Sequence, residues 1–433
     1  MTKKSRAISK LEYTLLSLVI ISILVSGVAI FFTMNISTKV EELMRATVVS
    51  PVTATTPTPE VIKIGVEVPL TGPNAYNGWL MARGALVAQK FINERGGVLG
   101  KKLVVVIEDE TPTAEGAILA AEKLVTVDKV VAIVGFYKSF TSKAVIESVI
   151  SKYHVPMFTA GWSNALTEMR NKYVFRAGPL IAGQIDQWVA FIEELAEKTG
   201  RKKFAAYSEN TDYGTEFQSA VIEGLKKHGK VEIVADFYHD YLATDFTSDL
   251  IKIKEAGAEI FWTATVSANV MTMIKQAEAV GLKKQAILLA VADGFYFTEE
   301  YINTVGKSGD LLITNAFHLP GTSYTEWTPI MDSIYKELGY GDHIEYYITL
   351  QVCQDVLLVA QAIEKAKSTN SDAIVEALEK HEFLSPWGKV KFRMDPTGPY
   401  YHQWVPPMLF VQFQDLKLKI VYPPELATSS LKY

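Results

Sequence analysis

The stretch VVAIVGFYKSFTSKAV, residues 130–145, decides the fold. It starts as an apolar run, passes Gly135, and becomes a hydroxyl-rich segment in which an amphipathic helical pattern begins. Ser139, Thr141 and Ser142 stand at this change. Such residues are common helix N-caps, and the free N–H groups of a helix start also attract anions. The stretch therefore predicts a buried strand that leads into a helix, with either plain caps or an anion-binding turn between them.

The same alternation of strand and helix runs outward in both directions. Apolar runs of strand length lie at 61–68, 102–109, 130–135 and 155–160, and again at 203–208, 231–237, 259–264 and 286–291. Segments with a period of about 3.6 residues separate them, at 79–95, 114–127 and 141–152, and then at 214–228, 244–256 and 267–280. Continuous apolar strands that alternate with helices predict parallel sheets covered on both faces. We therefore predict an α/β fold of two doubly wound lobes with a ligand cleft between them.

Polar and aromatic residues follow four of the predicted strands, at the ends where ligands of such sheets bind. In the first lobe, hydroxyl groups and helix starts predict affinity for an anion, which a helix N-terminus favours by about 0.3–1 kcal/mol. In the second lobe, an aromatic residue and a carboxylate predict affinity for a cation. A zwitterion, that is an α-amino acid, satisfies both lobes. In chain order the candidate residues are Ser139; Gly161, Trp162 and Ser163; Tyr213; and Asp293.

These candidates also have purely structural explanations. A serine such as Ser139 is a common helix cap, and Asp293 with the glycine after it is a common turn pair. Trp162 could belong to the core and Tyr213 to a surface turn. Both interpretations stay open at this point.

The composition excludes several classes of protein. A chain of 433 residues is too long for one ordinary hydrophobic core, and 48% hydrophobic with 21% charged residues is typical of a folded globular chain. The net charge of −5 argues against nucleic acid as a partner. The lone cysteine, Cys353, allows no disulfide within the chain, and we expect it to be buried in a helix. The seven histidines form no metal-binding motif, so we expect neither a metal nor another cofactor.

The N-terminal segment has the pattern of a membrane anchor. Residues 14–34 carry no charge, and as a helix they would reach across the roughly 30 Å hydrocarbon core of a bilayer. Four basic residues lie in the segment 1–13, which by the positive-inside rule is cytoplasmic. Residues 35–60 include a Thr/Pro-rich linker. We therefore expect a single-pass protein of the cell membrane, with its binding domain on the extracellular or periplasmic side.

The segment RAISKLE, residues 6–12, resembles the class III (prepilin-type) signal found on some archaeal surface binding proteins. Cleavage after Ala7 would make Glu12 the fifth residue of the mature chain, as in that signal. Cleaved or not, the chain would keep its apolar helix.

Seven motifs in order carry a further resemblance. They are PLTGPNAYNG (69–78), GALVAQKFINERGGVLGKKLVVVIEDE (84–110), VGFYKSFTSKAV (134–145), VPMFTAGWSNALTE (155–168), DYGTEFQSAVIEGLKKHG (212–229), EIFWTATVSANVMTMIKQAEAVGL (259–282) and ADGFY (292–296). Over about residues 61–425 the chain resembles the periplasmic solute-binding proteins of branched-chain amino acid ABC transporters, the leucine/isoleucine/valine group with the type I binding-protein fold.

The resemblance implies how an amino acid would be held. The ligand carboxylate would meet the hydroxyl and backbone groups of Ser139, Gly161 and Ser163. An acidic residue of the second lobe would hold the amino group, and Asp293 occupies its place, where many relatives carry a glutamate.

The resemblance also implies an aromatic contribution to the pocket. Tyr213 occupies the place of a tyrosine that faces the ligand, and Tyr76 lies one position from the usual aromatic residue of the first strand exit. Val266 replaces another family tyrosine, and Trp162 is bulkier than the small residue usual at its place. Because of these departures, the resemblance does not identify the side chain of the ligand.

The same family has three hinge strands and closes its two lobes around the solute. It delivers the solute to the permease subunits of an ABC transporter, and we expect a monomer. The implied limits are 61–180 with 316–404 for lobe 1, 181–315 with 405–425 for lobe 2, and hinges near 177–181, 313–317 and 402–406.

Other functions stay open beside an amino acid receptor. The ligand could be urea, a short-chain amide or another small organic solute, and the domain could be a ligand-sensing ectodomain. We do not expect an enzyme, because the strand exits show no nucleophile–base pair and no closely spaced carboxylates.

Overall fold

The structure is a computed structural model that describes residues 60–291, 299–406, 408–424 and 427–433. The chain separates into residues 1–58 and 59–433, and all the described residues belong to the second part. The predicted cytoplasmic segment, membrane helix and linker, up to residue 59, lie outside the described residues. Within the described ranges, no helix combines the length and the apolar character needed to cross a membrane.

The first lobe is built on a seven-stranded sheet with the order β13–β14–β5–β4–β3–β1–β2. β1 to β5 run parallel to their neighbours, β14 lies parallel to β5, and β13 is an antiparallel edge strand. In register, Gly65 of β1 lies between Val106 of β2 and Ile133 of β3. The strands are β1 (Ile62–Val68), β2 (Leu103–Asp109), β3 (Ile133–Gly135), β4 (Met157–Thr159), β5 (Val174–Ala177), β13 (Arg393–Met394) and β14 (Tyr401–Trp404).

The second lobe repeats this plan in a seven-stranded sheet with the order β16–β15–β10–β9–β8–β6–β7. β6 to β10 run parallel, and β15 and β16 add an antiparallel pair at one edge. The strands are β6 (Lys203–Glu209), β7 (Glu232–His239), β8 (Ile260–Thr263), β9 (Ile287–Ala290), β10 (Ile313–Ala316), β15 (Leu409–Gln414) and β16 (Lys417–Tyr422). A separate hairpin joins β11 (Phe383–Ser385) to β12 (Gly388–Val390). Two α/β lobes with parallel sheets are thus confirmed.

Helices connect the strands and cover the sheets. In the first half of the chain they are α1 (Ala75–Glu94), α2 (Ala114–Lys123), α3 (Ser139–Val145), α4 (Ser151–Tyr153), α5 (Ala165–Glu168), α6 (Ala182–Thr199) and α7 (Asp212–His228). In the second half they are α8 (Thr247–Glu255), α9 (Asn269–Ala279), α10 (Glu299–Val305), α11 (Thr328–Glu337), α12 (Tyr347–Ala366) and α13 (Ser371–Lys380). A π-helical turn at Leu124–Asp128 continues α2, and a second one at Ile146–Ile150 joins α3 to α4.

Local sequence explains where these helices begin and end. The hydroxyl oxygens of Thr113 and Thr211 accept the N–H groups of Gly116 and Gly214, at 3.1 and 3.2 Å, and so cap α2 and α7. α6 ends at Gly200, which has a φ of 73° that favours glycine. Threonine N-caps and C-terminal glycines of this kind define where the helices begin and end.

The core of the first lobe includes a tight contact between α1 and α12. A Cβ atom placed on Gly84 of α1 would lie 2.1 Å from the carbonyl oxygen of Thr349 on α12, so only glycine allows this approach. Cys353, also on α12, is buried as predicted. This close approach packs the two longest helices of the first lobe directly against each other.

The chain passes between the two sheets three times. These passages lie between β5 and β6, between β10 and β13, and between β14 and β15. The predicted limits of the lobes, which place hinges near 177–181, 313–317 and 402–406, remain predictions.

Candidate functional site

A cavity lies between the two lobes, at the carboxyl ends of the parallel strands. Ser139 and Trp162 line it from the first lobe, and Glu209, Tyr213 and Val266 line it from the second. Its free volume is about 20 Å³, which is room for roughly one water molecule. The lobes must therefore part before any larger solute can enter.

Ser139 is the first residue of α3 and follows β3 directly, as the sequence predicts. Lys138 occupies the N-cap position but makes no side-chain cap bond, so the first turn of the helix keeps donors that no side-chain cap occupies. The Ser139 hydroxyl oxygen accepts the backbone N–H of Ser163 at 3.2 Å. Ser142, by contrast, turns its hydroxyl back onto the carbonyl of Lys138, at 2.7 Å, which agrees with a purely structural role.

Arg176 holds the segment 161–164 in place from behind. This fully buried residue of β5 donates from Nη1 to the carbonyl oxygens of Gly161 and Ser163, at 2.7 and 2.8 Å. Its Nε donates to the side-chain oxygen of Gln403 at 2.6 Å. Burial lowers the pKa of Arg176 to about 9. The sequence analysis missed this residue, although an arginine inside the apolar run YVFRAG was a signal for a buried polar partner.

Gly161 and Ser163 lie beside the cavity but are not among the residues that line it in the described part of the chain. A Cβ atom on Gly161 would lie 3.1 Å from the Cα of Ser139, so glycine lets the two segments approach. The hydroxyl of Ser163 donates across the cleft to the carboxylate of Glu216, on α7 of the second lobe. Their predicted roles in ligand binding remain predictions.

Glu209 brings a buried carboxylate to the second-lobe side of the cavity. It ends β6, and its oxygens accept the N–H of Val266 at 2.9 Å and the hydroxyl of Thr211 at 2.8 Å. Burial raises the pKa of Glu209 to about 7. Glu209 was not predicted from the sequence. The predicted strand 203–208 ended one residue before it, and the site residue predicted after that strand was Tyr213.

Aromatic side chains form the apolar wall of the cavity. The ring centroid of Trp162 lies 5.9 Å from that of Tyr213 and 5.7 Å from that of Tyr347. All three residues are buried and line the cavity. Tyr76 is half-buried near the start of α1 and is not among the lining residues that the structure describes. Asp293 lies outside the described residues.

Direct contacts join the two lobes around this cavity. The side-chain amide of Asn74 donates to the carbonyl oxygen of Val266, and its oxygen accepts the hydroxyl of Tyr241. The N–H of Ala268 donates to the carbonyl oxygen of Pro73 at 3.2 Å. The lobes are therefore closed on each other.

The described residues contain no group of three or more His, Cys, Asp or Glu side chains that could hold a metal ion. The polar groups that converge on the cavity include hydroxyl, N–H and carboxylate groups. Such groups suit a small polar solute held by hydrogen bonds.

Known proteins are similar to this chain in sequence. Leu/Ile/Val-binding protein homolog 7 of Brucella abortus is 28% identical over 389 aligned residues, which cover 86% of this chain and 94% of that protein. Homolog 8 of Brucella melitensis is 24% identical over 394 aligned residues, covering 86% of this chain and 93% of that protein.

Solved structures agree in fold. The branched-chain amino acid transporter substrate-binding protein LivJ of Streptococcus pneumoniae, in complex with isoleucine, superposes with a TM-score of 0.71 at 23% identity, covering 84% of this chain and 100% of that one. An ABC transporter solute-binding protein of R. palustris, in complex with 4-hydroxybenzoate, gives a TM-score of 0.69 at 19% identity, covering 83% and 95%. At these identities the likeness concerns the fold alone. The family described as "Periplasmic binding protein" matches residues 61–417, and the chain therefore belongs to the periplasmic binding protein family.

Proposed function

We propose that this protein is the solute-binding receptor of an ABC importer and that it captures an α-amino acid, with branched-chain amino acids as the first candidates. One observation carries the proposal. The cavity between the lobes has a helix start with Ser139 on one side and the buried carboxylate of Glu209 on the other. These two ends differ in the charge that they favour, as the two ends of an amino acid do.

The carboxylate of the ligand would lie at the first turn of α3. There the helix offers backbone N–H groups together with the hydroxyl of Ser139. Charge-assisted hydrogen bonds of this kind contribute about 1.5–3 kcal/mol each. The amino group would face Glu209 and, by the family resemblance, Asp293. An ammonium group beside Glu209 would favour its ionised form, since opposite charges stabilise each other in a buried site.

The side chain of the ligand would lie against Trp162, Tyr213 and Tyr347. Burying an aliphatic side chain contributes about 25 cal/mol for each Å² of apolar surface removed from water. Leucine, isoleucine and valine are therefore the expected ligands of this wall. The curated relatives named as Leu/Ile/Val-binding protein homologs support the same choice.

An aromatic carboxylic acid is the second candidate. The R. palustris protein is complexed with 4-hydroxybenzoate, and the aromatic wall around Trp162 would also suit such a ring. A benzoate, however, carries no cation to face Glu209. Urea or a short-chain amide would lack the negative charge that the start of α3 favours. These solutes therefore rank below amino acids.

Binding would work by closure of the two lobes. The ligand would stabilise a closed form in which Ser139 and Glu209 face it together, with the lobes far enough apart to leave more than the one-water space of this structure. The permease of the importer would recognise the closed shape. In this proposal, residues 14–34 tether a monomeric receptor to the cell membrane with its lobes outside, and the solute is released unchanged, without any enzymatic step. A ligand-sensing ectodomain would use the same closure but would signal to a separate output protein.

A thermal-shift screen of the purified full chain tests the proposal. The panel contains the amino acids, benzoates, urea and short-chain amides, because a ligand that binds the folded state raises Tm by mass action. We expect the largest shifts from branched-chain amino acids, and mass spectrometry should recover them unchanged. Stabilisation by benzoates or amides alone would overturn the assignment, and recovery of a modified ligand would indicate an enzyme.

A further inference from the structure

The carboxylate of Glu216 crosses from the second lobe to the first. It belongs to α7, and it accepts the hydroxyl of Ser163 and the backbone N–H of Asn164. The distances from Asn164 N to the two carboxylate oxygens are 2.9 and 3.2 Å. Glu216 is half-buried, so these bonds are partly sheltered from water.

The segment that receives Glu216 is rigidly held. Arg176 binds the carbonyl oxygens of Gly161 and Ser163 from behind. The side-chain oxygen of Asn164 accepts the N–H of Ala182 at 2.9 Å, at the start of α6, which leads into the second lobe. Because this segment has little freedom, few conformations are lost when Glu216 binds it.

The same segment is connected to the cavity. The N–H of Ser163 donates to the hydroxyl oxygen of Ser139, and Trp162 between them lines the cavity. A change in how Glu216 binds Ser163 therefore acts on groups beside the ligand position. All of these contacts join groups of the protein itself.

We propose that Glu216 is a latch residue, which stabilises the closed lobes without a ligand by binding Ser163 and Asn164, and thereby sets the apparent affinity for the solute. When the lobes part, the carboxylate and its donors return to water. The apparent dissociation constant equals the intrinsic one divided by the fraction of protein in the closed, binding-competent form. The inference rests on the proposed function only in placing the ligand between the lobes.

A charged pair across the cleft provides a matched control. Lys143 on α3 and Asp212 on α7 approach to 3.9 Å, but their side chains are 43% and 47% exposed. An exposed pair of this kind contributes little to stability. Asp212→Asn removes a carboxylate from the same helix as Glu216 without touching Ser163 or Asn164.

The test measures lobe closure in the full chain without any ligand. Leu119→Cys on α2 and Ile251→Cys on α8 place one label on each lobe, at positions that are 61% and 40% exposed. Cys353 is buried and stays unlabelled. Single-molecule energy transfer between the labels then gives the ratio of closed to open protein.

We expect Glu216→Ala to lower this ratio by about tenfold, as the loss of charge-assisted hydrogen bonds predicts. Asp212→Asn should leave it within about twofold. Ser163→Ala should lower the closed-to-open ratio by a smaller factor. The double variant Glu216→Ala/Ser163→Ala should lower it by less than the product of the two single factors, because both substitutions remove the same hydrogen bond. Circular dichroism of each variant establishes that it is folded.

An unchanged ratio in Glu216→Ala would overturn the proposal, and so would an equal fall in Asp212→Asn or a wild-type protein that is fully open without ligand. A second measurement follows the affinity for L-leucine, which should fall by the same factor as the fraction of protein in the closed form, calculated from the measured closed-to-open ratio. If leucine does not bind at all, leucine is excluded as the solute in the proposed function, while the ligand-free ratio still decides whether Glu216 is a latch.

Discussion

Glu209 and Val266 are joined by a hydrogen bond of 2.9 Å, in which the backbone N–H of Val266 donates to the buried carboxylate. The carbonyl oxygen of Val266 in turn accepts the side-chain amide of Asn74 from the first lobe. One buried carboxylate thus fixes the loop through which the second lobe contacts the first. The protonation of Glu209 therefore matters both for stability and for the cavity.

The stability of the protein should depend on pH through Glu209. Burial raises its pKa from the usual 4.5 to about 7, so between these values the folded state keeps a proton that the unfolded state has released. The contribution of Glu209 to stability therefore falls as the pH rises through this window. Glu209→Gln cannot titrate, so its free energy of unfolding should improve relative to wild type between about pH 4.5 and about pH 7.

Urea unfolding at several pH values across this window measures the difference. Glu255→Gln, an exposed position on α8, is the control and should follow wild type throughout. A difference between Glu209→Gln and wild type that stays constant with pH would show that Glu209 does not titrate in this window.

Ser139→Ala should weaken the binding of an amino acid only modestly. It removes one hydroxyl from the cavity, whereas the backbone N–H groups at the start of α3 stay in place. We expect a loss of about 0.5–1.5 kcal/mol, which is about twofold to tenfold in Kd by calorimetry. Ser151→Ala, which removes a hydroxyl bonded to the carbonyl of Ile146 away from the cavity, is the control. A complete loss of binding would instead indicate that the hydroxyl, rather than the helix start, holds the ligand carboxylate.

Asp293→Ala should weaken amino acid binding more strongly, if the family resemblance places this residue beside the ligand amino group. A lost charge-assisted bond predicts a change of at least about 1.5 kcal/mol, or about tenfold in Kd. Asp342→Ala, at an exposed position in the first lobe, should have no effect. An unchanged Kd for Asp293→Ala would remove it from the site and leave Glu209 as the acidic residue of the second lobe.

Local patterns in the sequence determine most of the fold. The predicted strand 203–208 and the observed β6 (Lys203–Glu209) differ by one residue, because an apolar run between two polar segments leaves little choice. The predicted strand 130–135 is longer than β3 (Ile133–Gly135), although Val131 and Ala132 already make backbone hydrogen bonds of 2.9 Å with Lys63 and Gly65 of β1. Strand exits in a parallel sheet also converge, which is why Ser139, Trp162 and Tyr213 could be placed near one cavity.

The contacts between lobes could not be predicted in this way. Glu216 lies on a helix whose sequence pattern shows only a polar position, and its partners Ser163 and Asn164 come from another lobe. Such a pairing depends on how the lobes close, and the hydrophobic periodicity of a single segment carries no information about lobe closure. Arg176 is a different case from Glu216, because its position in a buried strand already indicates from the sequence that it needs buried partners. Its partners, the carbonyl oxygens of Gly161 and Ser163, follow only from the fold.

Arg176→Lys should therefore damage the site although Arg176 is not among the residues that line the cavity. The guanidinium group binds two carbonyl oxygens and Gln403 at once, and a lysine ammonium cannot reproduce this geometry. Leaving buried carbonyl oxygens without partners destabilises a protein by about 1–3 kcal/mol, which urea unfolding would detect. The affinity for the amino acid should also fall, because Gly161 and Ser163 lose their support. Arg393→Lys, at an exposed position of β13, is the matched control and should change neither quantity. Full stability and full affinity in Arg176→Lys would mean that the segment 161–164 holds its conformation without the buried arginine.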